Sequence, residues 1–323
     1  MLLVTTSAFA DNVPAKRRIL VIKSRDIAFY NSTLDGFLHG LETRGYYSTD
    51  TVDLDIMALT GDSSKDSAAI KNQLSKANNL VFTLGTDATL AVQNAHTTEP
   101  CLFTMLVDPV SLGIAKSLSA PGQNFTGTTL LVDPGKQLEA LQQVASLVKR
   151  VGVLYTDGDA TSLAFLASAR QEAQVLGIQI VSVPISGDSS GSRQTLLQLA
   201  AKVDAFWLIV DPASASPQTL ADTLDIAKTH NLPVLGMSNS NVRSGALLSL
   251  SANLRDLGDV DAEMACPLLD GSVTPAATAI RGPRQTILSI NLNAARSLGV
   301  TIPSSVLHLA DEVIDDTAGA PTN

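Results

Sequence analysis

Short apolar runs recur along this chain, each ending in a polar turn and each followed by a stretch with helical spacing. Residues 18–22 form the first such run and stop at Lys23-Ser24-Arg25-Asp26. Leu34, Phe37, Leu38 and Leu41 then share one face of a predicted helix over 29–44, with Gly45 as its C-terminal cap. The pattern repeats with a strand at 52–56, a helix at 67–76 and a buried strand at 79–84. That strand runs through Gly85-Thr86-Asp87-Ala88-Thr89 into a helix at 90–95, and another strand at 102–107 stops at Asp108-Pro109. Strands alternating with helices at this spacing specify a parallel sheet covered on both faces.

The stretch 101–132 is the turning point. After the strand at 102–107 come a short helix-like segment at 111–118 and a break at Pro121-Gly122-Gln123-Asn124. A second β-rich run, 125–132, then carries the chain out of the first lobe, and the same grammar restarts. Strands are expected at 150–155, 178–183, 205–210 and 232–236, and helices at 136–147, 163–176, 193–201 and 216–229. Residues 245–251 read as a return crossing. A helix at 254–269 follows, with Pro267 expected to end or kink its last turn. A strand at 287–290, a helix at 292–298 capped by Gly299 and a final helix at 304–314 complete the pattern. At 323 residues the chain is long enough for two cores. The expected architecture is α/β, two lobes with parallel sheets and a cleft between them. One lobe is 16–126 plus 254–280 and the other 127–253 plus 281–315, with a disordered tail at 316–323.

Charge and composition exclude several classes. A net charge of −9, with no stripe of Lys and Arg, argues against a nucleic-acid partner, whose phosphates need basic patches. Aromatic residues are only 4 % of the chain, too few for base-stacking platforms. No P-loop or zinc signature is present, and the Gly-Ser-rich segment 187–192 lacks the Gly-x-Gly-x-x-Gly spacing of a dinucleotide site, so no enzyme class is indicated. The four histidines are scattered singly and build no metal site by spacing, and no cofactor is implied. Cys101 and Cys266 read as two separate buried thiols. At the start of the chain, MLLVTTSAFA ends in Ala8-Phe9-Ala10, a small-x-small site with cleavage expected before Asp11. Its positive n-region is missing, which places the true start of a secretory signal upstream. An exported, periplasmic location is expected.

Taken together, several pieces of the sequence resemble one family. They include Asp108-Pro109 with Pro121-Gly122-Gln123-Asn124-Phe125-Thr126-Gly127, then Lys149-Arg150-Val151-Gly152-Val153-Leu154-Tyr155 and Val203-Asp204-Ala205. Gly245-Ala246-Leu247, Ile290-Asn291-Leu292, Gly299-Val300-Thr301-Ile302-Pro303 and Ala310-Asp311-Glu312-Val313-Ile314 continue the match. In this order and spacing they resemble the ABC-transporter substrate-binding proteins, in the branch with tryptophan- and tyrosine-binding members. The resemblance implies the type I periplasmic binding protein fold, two Rossmann-like lobes joined by three crossings. It also implies a monomeric receptor that captures a small molecule, an amino acid or similar solute, and presents it to an ABC permease in the inner membrane. The alternative reading is an exported sensory module that signals to a membrane partner. A transcription regulator of the same architecture would carry a basic helix-turn-helix, which this chain lacks.

A receptor cleft needs hydroxyls, backbone amides and a few charges from both lobes. The first lobe offers Ser24, Thr86, Thr89 and Asp108, and the second Tyr155, Thr161, Ser162, Asp211 and Ser216. Ser249, Ser251 and Asn253 lie at the return crossing. If the turn after 79–84 opens a helix, its amides are placed to hold a carboxylate. Each residue also has a structural reading: Asp108 and Asp211 as turn residues, Thr86, Thr89, Ser162 and Ser216 as helix caps, Tyr155 as a ring on the core. The chain departs from the family pattern at Asp211-Pro212, at Thr161-Ser162, at Ser249-Leu250-Ser251 and at Asn253-Leu254. Those departures remove aromatic and acidic groups that would stack on a ring or hold an ammonium.

Overall fold

The computed structural model describes residues 16–46, 51–186, 191–212 and 216–316. The expected signal segment 1–10 and residues 317–323 of the tail lie outside these. Asp316, assigned to the tail from sequence, is described, and its amide donates to Asn293 Oδ1 at 3.4 Å.

The chain divides into two compact units. The first holds residues up to Thr104, Ile114–Gly127 and Gly258–Ile280. It opens with β1 (Arg17–Lys23), α1 (Ala28–Thr43), β2 (Val52–Ala58) and α2 (Ser63–Leu74). β3 (Leu80–Leu84), α3 (Thr86–Asn94), β4 (Cys101–Leu106) and β5 (Phe125–Thr129) follow. The sheet order is β2-β1-β3-β4-β5. Ile19, Val21 and Phe82 from the strands pack with Leu34, Phe37 and Leu41 of α1, and the Phe37 and Phe82 rings stack 4.1 Å apart.

The second unit holds Met105–Gly113, Thr128–Leu257 and residues from Arg281 onward. Its elements are α4 (Pro134–Val144), β6 (Arg150–Thr156), α5 (Ala160–Val175), β7 (Gln179–Ile185), α6 (Ser192–Ala200) and β8 (Ala205–Trp207). Then come α7 (Pro217–His230), β9 (Val234–Gly236), a short α8 (Asn239–Arg243) and β10 (Leu248–Ala252). Helix α9 (Leu254–Leu269) carries the chain into the first unit, where Val260, Met264 and Leu268 join its core. The chain returns through β11 (Thr286–Asn291), α10 (Leu292–Leu298), α11 (Ser304–Leu307) and β12 (Glu312–Ile314). The sheet order is β12-β11-β10-β9-β8-β6-β7. Two cores flank this sheet. One centres on Trp207 with Leu138 and Leu166, the other on Phe206 with Leu196 and Ile226.

The fold class is the one the alternation specifies, with local differences. β10 and β11 run antiparallel, Leu248 opposite Ile290, so the second sheet is mixed. The helix between them, α9, packs in the core of the first unit, so it does not serve as the crossover that covers a parallel pair. Residues 111–118 form turns, not a helix: Gly113 takes φ +69°, and the Lys116 amide bonds Pro121 O at 2.9 Å. The expected final helix stops at Leu307, because Val313 and Ile314 pair with Ile290 and Asn291 as an edge strand. β-Branched residues favour that state. Pro267 sits in the last turn of α9, which ends two residues later at Leu269.

Gly258 shows why α9 and α1 can approach so closely. A Cβ there would stand 2.0 Å from Thr33 O, so only a bare backbone fits.

Candidate functional site

In an open parallel sheet, ligands bind outside the carboxyl ends of the strands, at the point where the strand order reverses. Each unit has one such point. In the first it lies between β1 and β3, since β2 is added on one side of β1 and β3 on the other. In the second it lies between β6 and β8, for the same reason.

At the first switch point, Ser24 ends β1 and Gly85 ends β3. Gly85 adopts φ +92°, ψ 168°, a conformation open essentially to glycine alone. The Ser24 amide donates to Leu84 O at 2.9 Å, and its Oγ accepts from the Ala88 amide at 3.0 Å. A serine from β1 therefore caps α3. The first amides of a helix have no acceptor within it. Ala88 is capped by Ser24 and the Thr89 amide bonds Gly85 O at 3.2 Å, which leaves the Thr86 and Asp87 amides without an acceptor among the described residues. Tyr30 closes one side: its hydroxyl and Ser24 Oγ crowd the space above Gly85, and its ring meets Phe29 edge-on at 5.6 Å. Burial raises the Tyr30 phenol above its ordinary range, against the hydrogen bond with Ser24. The loop after β1 is pinned by Lys23, whose Nζ donates to Asp26 and, at 2.8 Å, to Asn31 Oδ1. That hydrogen bond from Lys23 holds the Asp26 carboxyl below the usual range. Arg25 and Asp87 stay exposed beside it, as do Ile27 and Phe29.

At the second switch point, Asp211 is buried, with 3 % of its surface exposed. Its carboxylate accepts from the Thr156 amide at 2.7 Å, the Thr156 hydroxyl at 3.0 Å and the Ser162 hydroxyl at 2.6 Å. Asp159 caps α5 through the Ser162 amide at 2.8 Å, and its carboxylate also reaches the Ser162 hydroxyl at 2.7 Å. Two carboxylates and a threonine therefore hold the end of β6, the start of α5 and the turn after β8 in one network. Tyr155 packs half-buried against the core, Thr161 is half-buried at the start of α5, and Leu163 and Val210 are exposed close by in sequence.

The residues nominated from sequence thus separate. Ser24, Thr86, Tyr155, Thr161, Ser162 and Asp211 stand at the two switch points. Thr89 is fully buried, bonding Gly85 O and Thr83 Oγ1 at 2.8 Å each. Asp108 holds a turn through the Val110 and Ser111 amides at 3.0 Å, together with the Ser111 hydroxyl. Ser216 caps α7 through the Thr219 amide at 3.1 Å, and Asn253 caps α9 through Arg255 and Asp256 at 3.2 Å each. Ser249 is buried on β10 with no hydrogen-bond partner for its hydroxyl among the described residues, and Ser251 lies half-buried on the same strand. Tyr30, Arg25, Asp87, Thr156 and Asp159 were not foreseen. Asp159 is legible as Asp-x-x-Ser before an apolar helix, whereas Tyr30 reads from sequence as one more core position of α1.

Among the described residues no cluster of His, Cys, Asp and Glu could hold a metal ion, and no helix is long and apolar enough to cross a membrane. Cys101 and Cys266 are both free and buried, and burial pushes both thiols up.

Comparison with known proteins gives these features a family. A "Tyrosine-binding protein" of Clostridioides difficile is 27 % identical over 236 residues, spanning 73 % of this chain and 68 % of that one. The ligand-free, open structure of a substrate-binding protein with adhesive properties from Clostridium difficile superposes with a TM-score of 0.80. It is 25 % identical and covers 93 % of this chain and 100 % of that one. A Streptococcus pneumoniae ABC domain in complex with L-Trp superposes at 0.75, with 26 % identity over 93 % and 100 % of the two chains. The two-unit architecture is that of type I periplasmic binding proteins. The model of the ABC transporter substrate-binding protein family matches residues 19–314, and the chain belongs to that family.

Proposed function

We propose that this protein is the exported receptor of an ABC transporter and that its solute is an α-amino acid with an apolar or aromatic side chain. The observation that carries the reading is the first switch point. There the amides of Thr86 and Asp87 open α3 beside Gly85, where a bare backbone lets a ligand approach. A carboxylate fits two such amides and the positive end of the α3 dipole. The Asp87 carboxylate would take the α-ammonium, the role that Asp211 cannot readily fill because its oxygens are engaged within the second unit. Tyr30, Phe29 and Ile27 supply apolar surface at the first switch point.

Receptor action in this reading is a population shift. A solute favours a closed form of the receptor only by the amount it binds that form better than the open one. The closed form is then what a permease reads. Membership of the family supports the permease partner, and Ala8-Phe9-Ala10 supports export.

The test is calorimetry with L-tyrosine and L-tryptophan against tyramine and tryptamine, which lack only the carboxylate. The amino acids should bind, and the amines should bind at least about 100-fold more weakly, the loss of a charge-assisted pair of hydrogen bonds. Equal binding of acid and amine would remove the carboxylate from the reading.

A further inference from the structure

A groove of about 720 Å³ runs along the first unit between α2 and α3. That volume is of the size that holds a drug-sized ligand. It begins at the carboxyl edge of the sheet, where Ser24, Arg25, Gly61 and Asp87 line it, and so it is continuous with the first switch point. It then follows one face of each helix: Ser63, Ser67 and Lys71 at four-residue spacing on α2, and Asp87 and Ala91 on α3 with its C-terminal cap Ala95. Small side chains on both faces leave a valley where larger ones would interdigitate.

The charges in the groove are unevenly committed. Asp66 faces its own loop, accepting from the Thr60 amide and hydroxyl at 2.9 Å and the Gly61 amide at 3.1 Å. Most arginines of this acidic chain are ion-paired, as with Arg44 on Asp259 and Arg150 on Asp204. Arg25 and Lys71 have no ion pair among the described residues. The apolar part of the lining is Leu59, Leu90, Ala91 and Ala95. From Ser63 to Lys71 the helix rises about 12 Å, close to the reach of three extended residues.

We propose that this groove is a second subsite, taking the acidic, extended tail of a solute longer than a single amino acid. Its anchor is the carboxylate site at the start of α3, where the Asp87 carboxylate accepts from the solute's peptide N–H in place of an α-ammonium, so the proposal rests on the receptor reading above. The chemical class is a peptide-like or similarly elongated compound, with one carboxylate at α3 and a second acid about 12 Å along the groove, at Lys71.

Twin tripeptides test this: N-acetyl-L-glutamyl-glycyl-L-tyrosine and its glutaminyl counterpart, with L-tyrosine as reference. Each is titrated calorimetrically into the wild type, Lys71→Gln and Ala91→Trp, with folding checked by circular dichroism. The glutamyl peptide should bind the wild type about ten-fold more tightly than its twin, and Lys71→Gln should bring that ratio close to one. Ala91→Trp, which fills the valley, should weaken both peptides at least about ten-fold relative to L-tyrosine. Equal binding of the twins to the wild type, or a ratio that survives Lys71→Gln, overturns the subsite while tyrosine binding keeps the receptor reading intact. Silence of all three compounds on folded protein overturns both.

Discussion

Gly85→Ala is the substitution that most sharply probes how the first switch point is built. A Cβ at this position would stand 2.6 Å from the Tyr30 hydroxyl, 2.7 Å from Ser24 Oγ and 2.8 Å from Tyr30 Cε1. The Tyr30 ring is half-buried and braced edge-on by Phe29, and Ser24 is committed to the Ala88 amide, so neither neighbour yields freely. The backbone strain at φ +92° costs ~1–3 kcal/mol, and losing the Ser24 cap of α3 adds ~1 kcal/mol. Gly61→Ala is the control. Gly61 also has positive φ, +86°, but nothing lies within 4 Å of its Cβ position, so only the conformational cost of ~1 kcal/mol applies. With melting followed by far-ultraviolet circular dichroism, Gly85→Ala should fall roughly 5–12 °C below wild type and Gly61→Ala roughly 2–4 °C. Gly85→Ala should also weaken binding of the proposed amino-acid solute, because the Thr86 and Asp87 amides would be displaced. Equal shifts for the two variants would refute the crowding of Tyr30 and Ser24 over Gly85.

Further expectations follow from the same geometry. Asp211→Ala strips three hydrogen bonds from a buried carboxylate and should cost ~2–4 kcal/mol, read by Trp207 fluorescence in urea, whereas Asp108→Ala, in a local turn, should cost ~1 kcal/mol or less. The Asp66 carboxyl is held below its ordinary range by the Thr60 amide, so the stability it contributes is complete above its unfolded pKa of about 4 and is lost as pH falls through the lower, folded value. Asp66→Asn should therefore destabilise at pH 7 and flatten the acid limb of a stability-versus-pH curve; an unchanged acid limb would remove Asp66 from that account. Gly258→Ala, with a Cβ 2.0 Å from Thr33 O, should force α1 and α9 apart and lower the melting temperature more than Gly61→Ala does. The thiols should resist a disulfide reagent until the protein is unfolded in denaturant, when both react, since each is buried and carries a raised pKa.

The fold was legible because burial on both faces of a parallel sheet writes itself into sequence as continuous apolar runs. Ile19 to Ile22 and Leu80 to Leu84 are such runs. What misled were places where tertiary pairing overrides local spacing. Residues 304–314 carry apolar positions compatible with a helix, yet Val313 finds a strand partner in Ile290. Residues 111–118 lack the length and caps to stand as a helix beside Gly113 and Pro121. The site was legible by position more than by residue. Gly85-Thr86 and Asp211 could be marked as turns at strand ends, but sequence could not say that Asp211 faces inward, to Thr156 and Ser162. Tyr30 was hidden for the converse reason. It occupies a helical position beside Leu34 and Phe37, and only the path of β3 brings Gly85 beneath its hydroxyl.

The measurement that bears most directly on the central claim is a thermal-shift titration of ligand-stripped protein against amino acids, sugars and nucleosides. A ligand bound only by the native state at 100 times its Kd adds ~2.7 kcal/mol, which for units of this size is a rise of roughly 5–10 °C. One or more apolar or aromatic α-amino acids should give that rise, sugars and nucleosides should give none, and the rise should disappear in Gly85→Ala. A sugar or nucleoside response without an amino-acid response would contradict that claim.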